Sequence, residues 1–175
     1  MLFRETDLKG ACIIEPEKIA DNRGFFARCY CAREFEKHGL NPKVVQCNIS
    51  HNAKKGTLRG MHMQISPYGE DKLIRCTRGS IYFVIIDMRQ NSSSFKKNIG
   101  ITLDSGNHQM IYVPKGFANG YMTLEDDTEL FYQMSEFYTP ESAIGYRYND
   151  PAFGIKWPME VKVISERDRN YPDFE

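Results

Sequence analysis

Short apolar or alternating runs, rich in β-branched and aromatic residues, recur along this chain and are broken by Gly, Pro, Asn and Asp. Such runs predict strands at 44–50, 73–78, 80–88, 100–103, 109–113, 120–123 and 129–134. Turn signals fall between them, at Gly79, 91–94, 104–107, 114–116 and 125–127. One helix is expected, around 32–39, with Phe35 on one face and Gly39 as its stop. Many short strands at close spacing predict an all-β sandwich or barrel carrying only a few short helices. Segment 146–175 is irregular and rich in Asp, Pro and Tyr, and nothing local decides whether it hangs free or folds back to close a site. With no repeat, low-complexity stretch or linker, a single domain over 1–175 is expected.

Composition narrows the class without naming a function. Lys+Arg equals Asp+Glu at 23 each, which gives no electrostatic argument for nucleic acid or a membrane surface. No run approaches the roughly 18 apolar residues of a spanning helix. The N-terminus carries Arg4, Glu5, Asp7 and Lys9 and lacks the apolar core of a signal peptide. Cys12, Cys29, Cys31, Cys47 and Cys76 form an odd set without Cys-x-x-Cys spacing, and reduced, buried thiols are the expected state. The expectation is a soluble, cytoplasmic protein.

Residues 56–72, Gly-Thr-Leu-Arg-Gly-Met-His-Met-Gln-Ile-Ser-Pro-Tyr-Gly-Glu-Asp-Lys, carry the most information. They resemble a cupin metal motif stripped of its metal. Gly56 and His62 match, with Glu70 and Gly79 near the right offsets, but Gln64 stands where a second histidine belongs. Pro114-Lys115-Gly116 is followed by no histidine, since position 119 is Asn. One histidine and one glutamate do not make a zinc or iron site, so no metal is expected and His62 is free to act as a base. Alternation would place Leu58, Gly60, His62 and Gln64 on one strand face. A lone histidine is nevertheless more often a packed or surface group than a catalyst.

The other candidates are individually ambiguous. Lys72 would share a face with Ile74 and Cys76, which is costly unless it meets an anion or snorkels to solvent. Tyr132 and Tyr138 read first as core aromatics, although a phenol can donate a proton. Asp168 reads locally as part of a solvated charged turn. Arg23 and Arg59 suit a diphosphate, and without a glycine-rich phosphate loop any nucleotide would be held by side chains.

Taken together, these blocks resemble the dTDP-4-dehydrorhamnose 3,5-epimerase family of non-metal cupins. The matches run from Asp-Asn-Arg-Gly-Phe-Phe at 21–26, through Val-Gln-Cys-Asn-Ile-Ser at 45–50 and Lys-Gly-Thr-Leu-Arg-Gly-Met-His at 55–62, to Tyr-Val-Pro-Lys-Gly-Phe-Ala at 112–118. Phe-Tyr-Thr-Pro at 137–140, Tyr-Asn-Asp-Pro at 148–151 and Ile-Ser-Glu-Arg-Asp at 164–168 continue the series. The resemblance implies a cupin-type jelly-roll homodimer acting without a cofactor on a nucleotide-linked 4-keto-6-deoxy sugar. His62 would abstract a proton at C3 or C5, backed by Asp168, with Lys72 at the 4-keto oxygen. Tyr132 would reprotonate the opposite face, assisted by Tyr138. Arg23, Phe26, Arg28, Gln46, Asn48, Arg59, Asn119 and Arg167 would bind the nucleotide and sugar, the Arg23 segment reaching the neighbouring subunit's ligand.

The chain departs from the family at four of these places. Phe83 replaces a carboxylate, Asn119 a histidine, and Arg28 and Ala143 each a glutamate. Arg28 would donate where a glutamate accepts, which suits cytosine rather than thymine. Alternative expectations are therefore a single-centre epimerase acting on a CDP-linked 4-keto sugar, or a non-catalytic sugar-nucleotide-binding cupin.

Overall fold

The structure is a computed structural model describing residues 1–175, and it contains two facing, mainly antiparallel sheets. The first half of the chain gives β1 (Leu2–Glu5), β2 (Cys12–Glu15), β3 (Lys18–Asp21), β4 (Gly24–Ala27), α1 (Ala32–Lys37), β5 (Gln46–Asn52), β6 (Thr57–Gln64) and β7 (Lys72–Arg78). The second half gives β8 (Ser80–Asp87), β9 (Asn98–Asp104), β10 (Met110–Val113), β11 (Phe117–Thr123), β12 (Thr128–Met134), β13 (Ala143–Gly145), β14 (Val163–Ile164) and α2 (Glu166–Arg169). One sheet runs β1-β2-β10-β7-β12-β5 and the other β13-β6-β11-β8-β9, with β14 added parallel to β6. This is the expected all-β, cupin-type jelly-roll sandwich.

The main core lies between the sheets, where Ile74, Ile111 and Leu130 of one meet Ile81, Phe83, Ile85 and Tyr121 of the other. The second sheet is buried on its outer face as well. There Met61, Val84, Ile86 and Ala118 pack under Phe153, with Tyr146, Trp157 and Phe174 against them. A strand covered on both faces should read as an unbroken apolar run, and β8 does, through Ile-Tyr-Phe-Val-Ile-Ile at 81–86. The cover is the polar-looking segment 146–175, which folds back. Trp157 donates its indole N–H to the Tyr148 carbonyl at 2.9 Å, and the Phe174 amide donates to Asp150 at 2.6 Å.

The predicted strands and helix are all present, with ends displaced by a few residues. The N-terminal strands lay outside the prediction, because β3 and β4 are short, almost wholly exposed and carry no core-facing alternation. The cysteines are free, but only Cys12 and Cys76 are buried. Cys47 is exposed because β5 turns Cys47, Ile49 and His51 outward, which corrects the expectation of uniformly buried thiols.

A second correction concerns the strand that carries His62. Asn119 pairs with His62 while Tyr121 pairs with Arg59, so two residues of β6 oppose the single Gly120 of β11. This bulge breaks the simple alternation: His62 and Gln64 face the interior together with Arg59, whereas Leu58 pairs with Met122 in the opposite phase. Glycine is required on both strands. Gly60 has φ +141°, and a Cβ there would lie 2.5 Å from the Gly120 Cα; a Cβ on Gly120 would lie 2.9 Å from the Arg59 carbonyl oxygen. Gly60→Ala or Gly120→Ala should therefore cost on the order of 1–3 kcal/mol in stability, read from the midpoint of denaturant unfolding.

Candidate active site

His62 projects from β6 just beyond the bulge into a cavity of about 360 Å³ between the sheets, whose walls include Gln46, Asn48, Lys72, Tyr132, Tyr138 and Arg167. A deeper chamber of about 200 Å³ shares His62, Lys72 and Tyr132 and adds Arg59, Phe83 and Asn119. The candidates named from sequence thus converge, apart from three. Arg23 lies on the exposed turn of the β3–β4 hairpin, paired with Asp21 at 2.5 Å. Phe26 is 68% exposed on the same hairpin, and Arg28 pairs with Glu34 at 2.9 Å. None of the three lines this cavity in its own chain.

The bulge, together with the folded-back C-terminal segment, builds the histidine's support. His62 Nε2 lies 2.8 Å from Asp168 Oδ1, and the Gly60 amide donates to Asp168 Oδ2 at 3.1 Å. Ser165 Oγ accepts from the Asp168 amide at 3.1 Å, capping α2 and fixing where the carboxylate points. Asp168 is therefore not a solvated turn residue but 5% exposed. Burial by itself would raise its pKa. The bonds from His62, Gly60 and Ser165 outweigh burial and hold the carboxyl below the usual carboxylate range. With Nε2 engaged by the carboxylate, Nδ1 is the nitrogen available to take a proton.

Lys72 begins β7 with only 12% of its side chain exposed, and its Nζ lies 2.8 Å from Glu70 Oε1. The costly inward lysine has found its anion. Tyr132 lies on β12 beside Lys72's strand, and burial, reinforced by Tyr121 and Glu70 against the opposing Arg59, raises its pKa. Its phenol stays protonated near neutrality and so remains a proton donor. Arg59 is held by Asn52 Oδ1 at 2.8 Å, and Asn52 also takes a hydrogen bond from Tyr121 at 3.3 Å. Gln46 donates to Asn48 at 3.2 Å and accepts from the Tyr138 amide at 3.2 Å, and Tyr138 and Arg167 line the same cavity. Asn119 donates to the His62 carbonyl at 3.0 Å, so its amide is committed to the backbone of the bulge. Phe83 is 2% exposed, an apolar floor to the inner chamber.

Sequence reasoning missed two participants. Tyr171 packs edge-on against His62 at 6.1 Å between ring centroids and presses so closely on Gly145 that a Cβ there would meet its ring at 2.2 Å. Nothing local in the Asp- and Tyr-rich tail signals this. Glu70 was visible only as the relic of a metal motif. No three His, Cys, Asp or Glu side chains converge anywhere in the chain.

A jelly-roll interior carrying a histidine–carboxylate pair, a buried lysine and a protonated tyrosine around one cavity defines a cupin-type epimerase. The chain belongs to the dTDP-4-dehydrorhamnose 3,5-epimerase family, whose sequence profile matches residues 5–175. It is 38% identical to the dTDP-4-dehydrorhamnose 3,5-epimerase of Sinorhizobium fredii, over 99% of this chain and 90% of that protein. The crystal structure of the Bacillus anthracis enzyme with TDP and PPi bound superposes with a TM-score of 0.95 at 38% identity, covering 99% of both chains. The Legionella pneumophila epimerase in complex with dTDP-4-keto-L-rhamnose superposes at 0.89 and 34% identity, covering 95% of this chain and 89% of that one.

A carboxylate whose pKa is depressed by folding stabilises the fold above its unfolded pKa and loses that contribution as pH falls through the folded value. Thermal melts from pH 7 to pH 2.5 should show wild type more stable than Asp168→Asn by about 1–3 kcal/mol near neutrality. The difference should shrink below about pH 4. A constant gap across the range would assign the loss to packing rather than charge.

Proposed function

We propose that this chain epimerises a dTDP-linked 4-keto-6-deoxy-hexose at C3 and C5 without a cofactor. The observation that carries the reading is that the His62–Asp168 pair, Lys72 and Tyr132 share one cavity in a chain of this family. The ketone acidifies the neighbouring C–H bonds. His62 Nδ1 takes the proton, and Asp168 holds the ring and stabilises the imidazolium, for about 10²–10⁴-fold. Charge then develops on the C4 oxygen, where the Lys72 ammonium stabilises the enolate. Tyr132 returns a proton from the opposite face, which inverts the centre, and Tyr138 assists at the open end of the cavity. Arg59, Gln46, Asn48, Asn119 and Arg167 bind sugar and diphosphate.

The reading includes a homodimer. The β3–β4 hairpin projects Ile19, Phe25 and Phe26, which are 70%, 50% and 68% exposed, and a second copy would bury them while bringing Arg23, Phe26 and Arg28 to the nucleotide end of its neighbour's cavity. A cytoplasmic location fits an enzyme acting on activated sugars, and no helix here is long and apolar enough to cross a membrane. The dTDP form is favoured over CDP because the two bound relatives above hold TDP or a dTDP-sugar, and because the Arg28 guanidinium is engaged by Glu34.

In deuterated water, NMR of dTDP-4-keto-6-deoxyglucose incubated with the enzyme should show deuterium entering at both C3 and C5. Exchange at neither carbon, with an active partner reductase present, rejects the epimerase reading; exchange at one carbon, or with the CDP form alone, selects the single-centre or CDP alternative. His62→Ala should lower exchange at both carbons by at least about 10²-fold. Tyr132→Phe should retain proton abstraction while suppressing inversion, seen as wash-in of label without a new epimer.

A further inference from the structure

Glu70 has no part in the reaction as described, yet it is the one carboxylate on the walls of the main cavity. It and Lys72 are separated by a single residue, so in extended backbone both side chains leave on the same side. Asp71, between them, turns the other way, taking hydrogen bonds from Asn41 at 2.8 Å, Ser135 at 3.0 Å and the Lys115 amide at 3.1 Å. The loop is thus anchored by Asp71 while Glu70 is directed inward, where its side chain is 4% exposed. Its Oε1 meets the Lys72 ammonium at 2.8 Å, and its Oε2 is buried without a hydrogen-bond partner. Lys72 is the carboxylate's one ionic partner.

The rest of the surroundings offer the lysine no other free anion. His62 and Arg167 share the main cavity with it, alongside the protonatable Tyr132 and Tyr138. Arg59 and Tyr121 share the inner chamber. A narrow cleft at the start of β7 brings Tyr30, Lys43 and Tyr112 near, but its Asp71 is committed as above and its Lys43 pairs with Glu136 at 3.2 Å. Asp168 is committed to His62 and Gly60. Glu70 is thus the one carboxylate beside the Lys72 ammonium that no other group engages.

We propose that Glu70 is a positioning residue that keeps the Lys72 ammonium charged and aimed into the cavity. The catalytic consequence rests on the role given to Lys72 above; the charge state of Lys72 does not. Glu70→Gln keeps the shape and an acceptor oxygen but removes the charge, so Lys72 should lose its proton at lower pH. In that variant kcat should fall by up to about tenfold on the alkaline side of the wild-type limb with KM within about threefold, and the loss should diminish as pH is lowered. The alkaline limb of the kcat profile should move down by about one unit or more, and Glu70→Asp should restore most of it.

A readout independent of turnover is the pH at which Lys72 becomes open to acetic anhydride, mapped by peptide mass spectrometry. Acylation beginning at lower pH in Glu70→Gln than in wild type supports the proposal, even if the sugar assignment is wrong. Coincident acylation and pH–rate profiles overturn it. A double-mutant cycle covers any misfolding of the single variant: in a Lys72→Met background, Glu70→Gln should cause no further loss of kcat. A further loss there also overturns the proposal, because Glu70 would then be acting other than through Lys72.

Discussion

The Asp168 carboxylate is the joint on which the site depends. Its two oxygens hold two points of one strand, the Gly60 amide within the bulge and the His62 ring just beyond it. Burying a carboxylate is costly unless its oxygens find partners, and here both do. Asp168 can reach β6 only because β14 runs parallel beside Thr57 and Leu58 and delivers α2 to that spot. The return of the chain in turn depends on Phe153, Trp157 and Phe174 covering the outer face of the second sheet. Burying that face and orienting the histidine are therefore one folding event, which couples stability to the geometry of the proposed base through a single side chain.

The frame of the sandwich was legible in the sequence because its strands are either continuously apolar, as in β8, or bounded by turn residues, as at Gly79. The proposed catalytic set came from the resemblance rather than from periodicity, since Lys72, Tyr132 and Asp168 each have an ordinary structural reading taken alone. Two kinds of feature were not. The bulge at Gly60 depends on a close approach to Gly120, a pairing that local alternation cannot anticipate. The inward turn of Tyr171 and Asp168 depends on long-range packing of a segment whose composition is that of a surface loop. Glycine at 60 was the available hint, as an unusual choice inside a strand.

Electrostatically the cavity is an exception cut into an apolar interior. Ile74, Leu130 and Phe83 line the inner chamber alongside Lys72, His62 and Arg59, so charges act there with little screening by water. That sharpens each interaction and raises the cost of any unpaired group. The pattern of partners follows: Asp168 with His62, Glu70 with Lys72, Asn52 with Arg59. Phe83 and Asn119 fit the same logic, since Phe83 adds no charge to the chamber and Asn119 spends its amide on the His62 carbonyl. Gln46, Asn48 and Arg167 add polar groups at the wider end.

In the proposed dimer, that wider end is completed by the second chain. Gln46, Asn48, Tyr138 and Arg167 line its rim, while Arg23 and Phe26 lie on a hairpin with little core of its own and Arg28 just after it. Two short strands standing clear of the sheets are marginal in water, and two exposed phenylalanines on them add to the area that favours a covered state. A second copy placed over the hairpin would stabilise it and complete the nucleotide end with one contact surface. Dimerisation and substrate affinity would then be linked quantities, because whatever orders the hairpin also orders the residues proposed to grip the diphosphate.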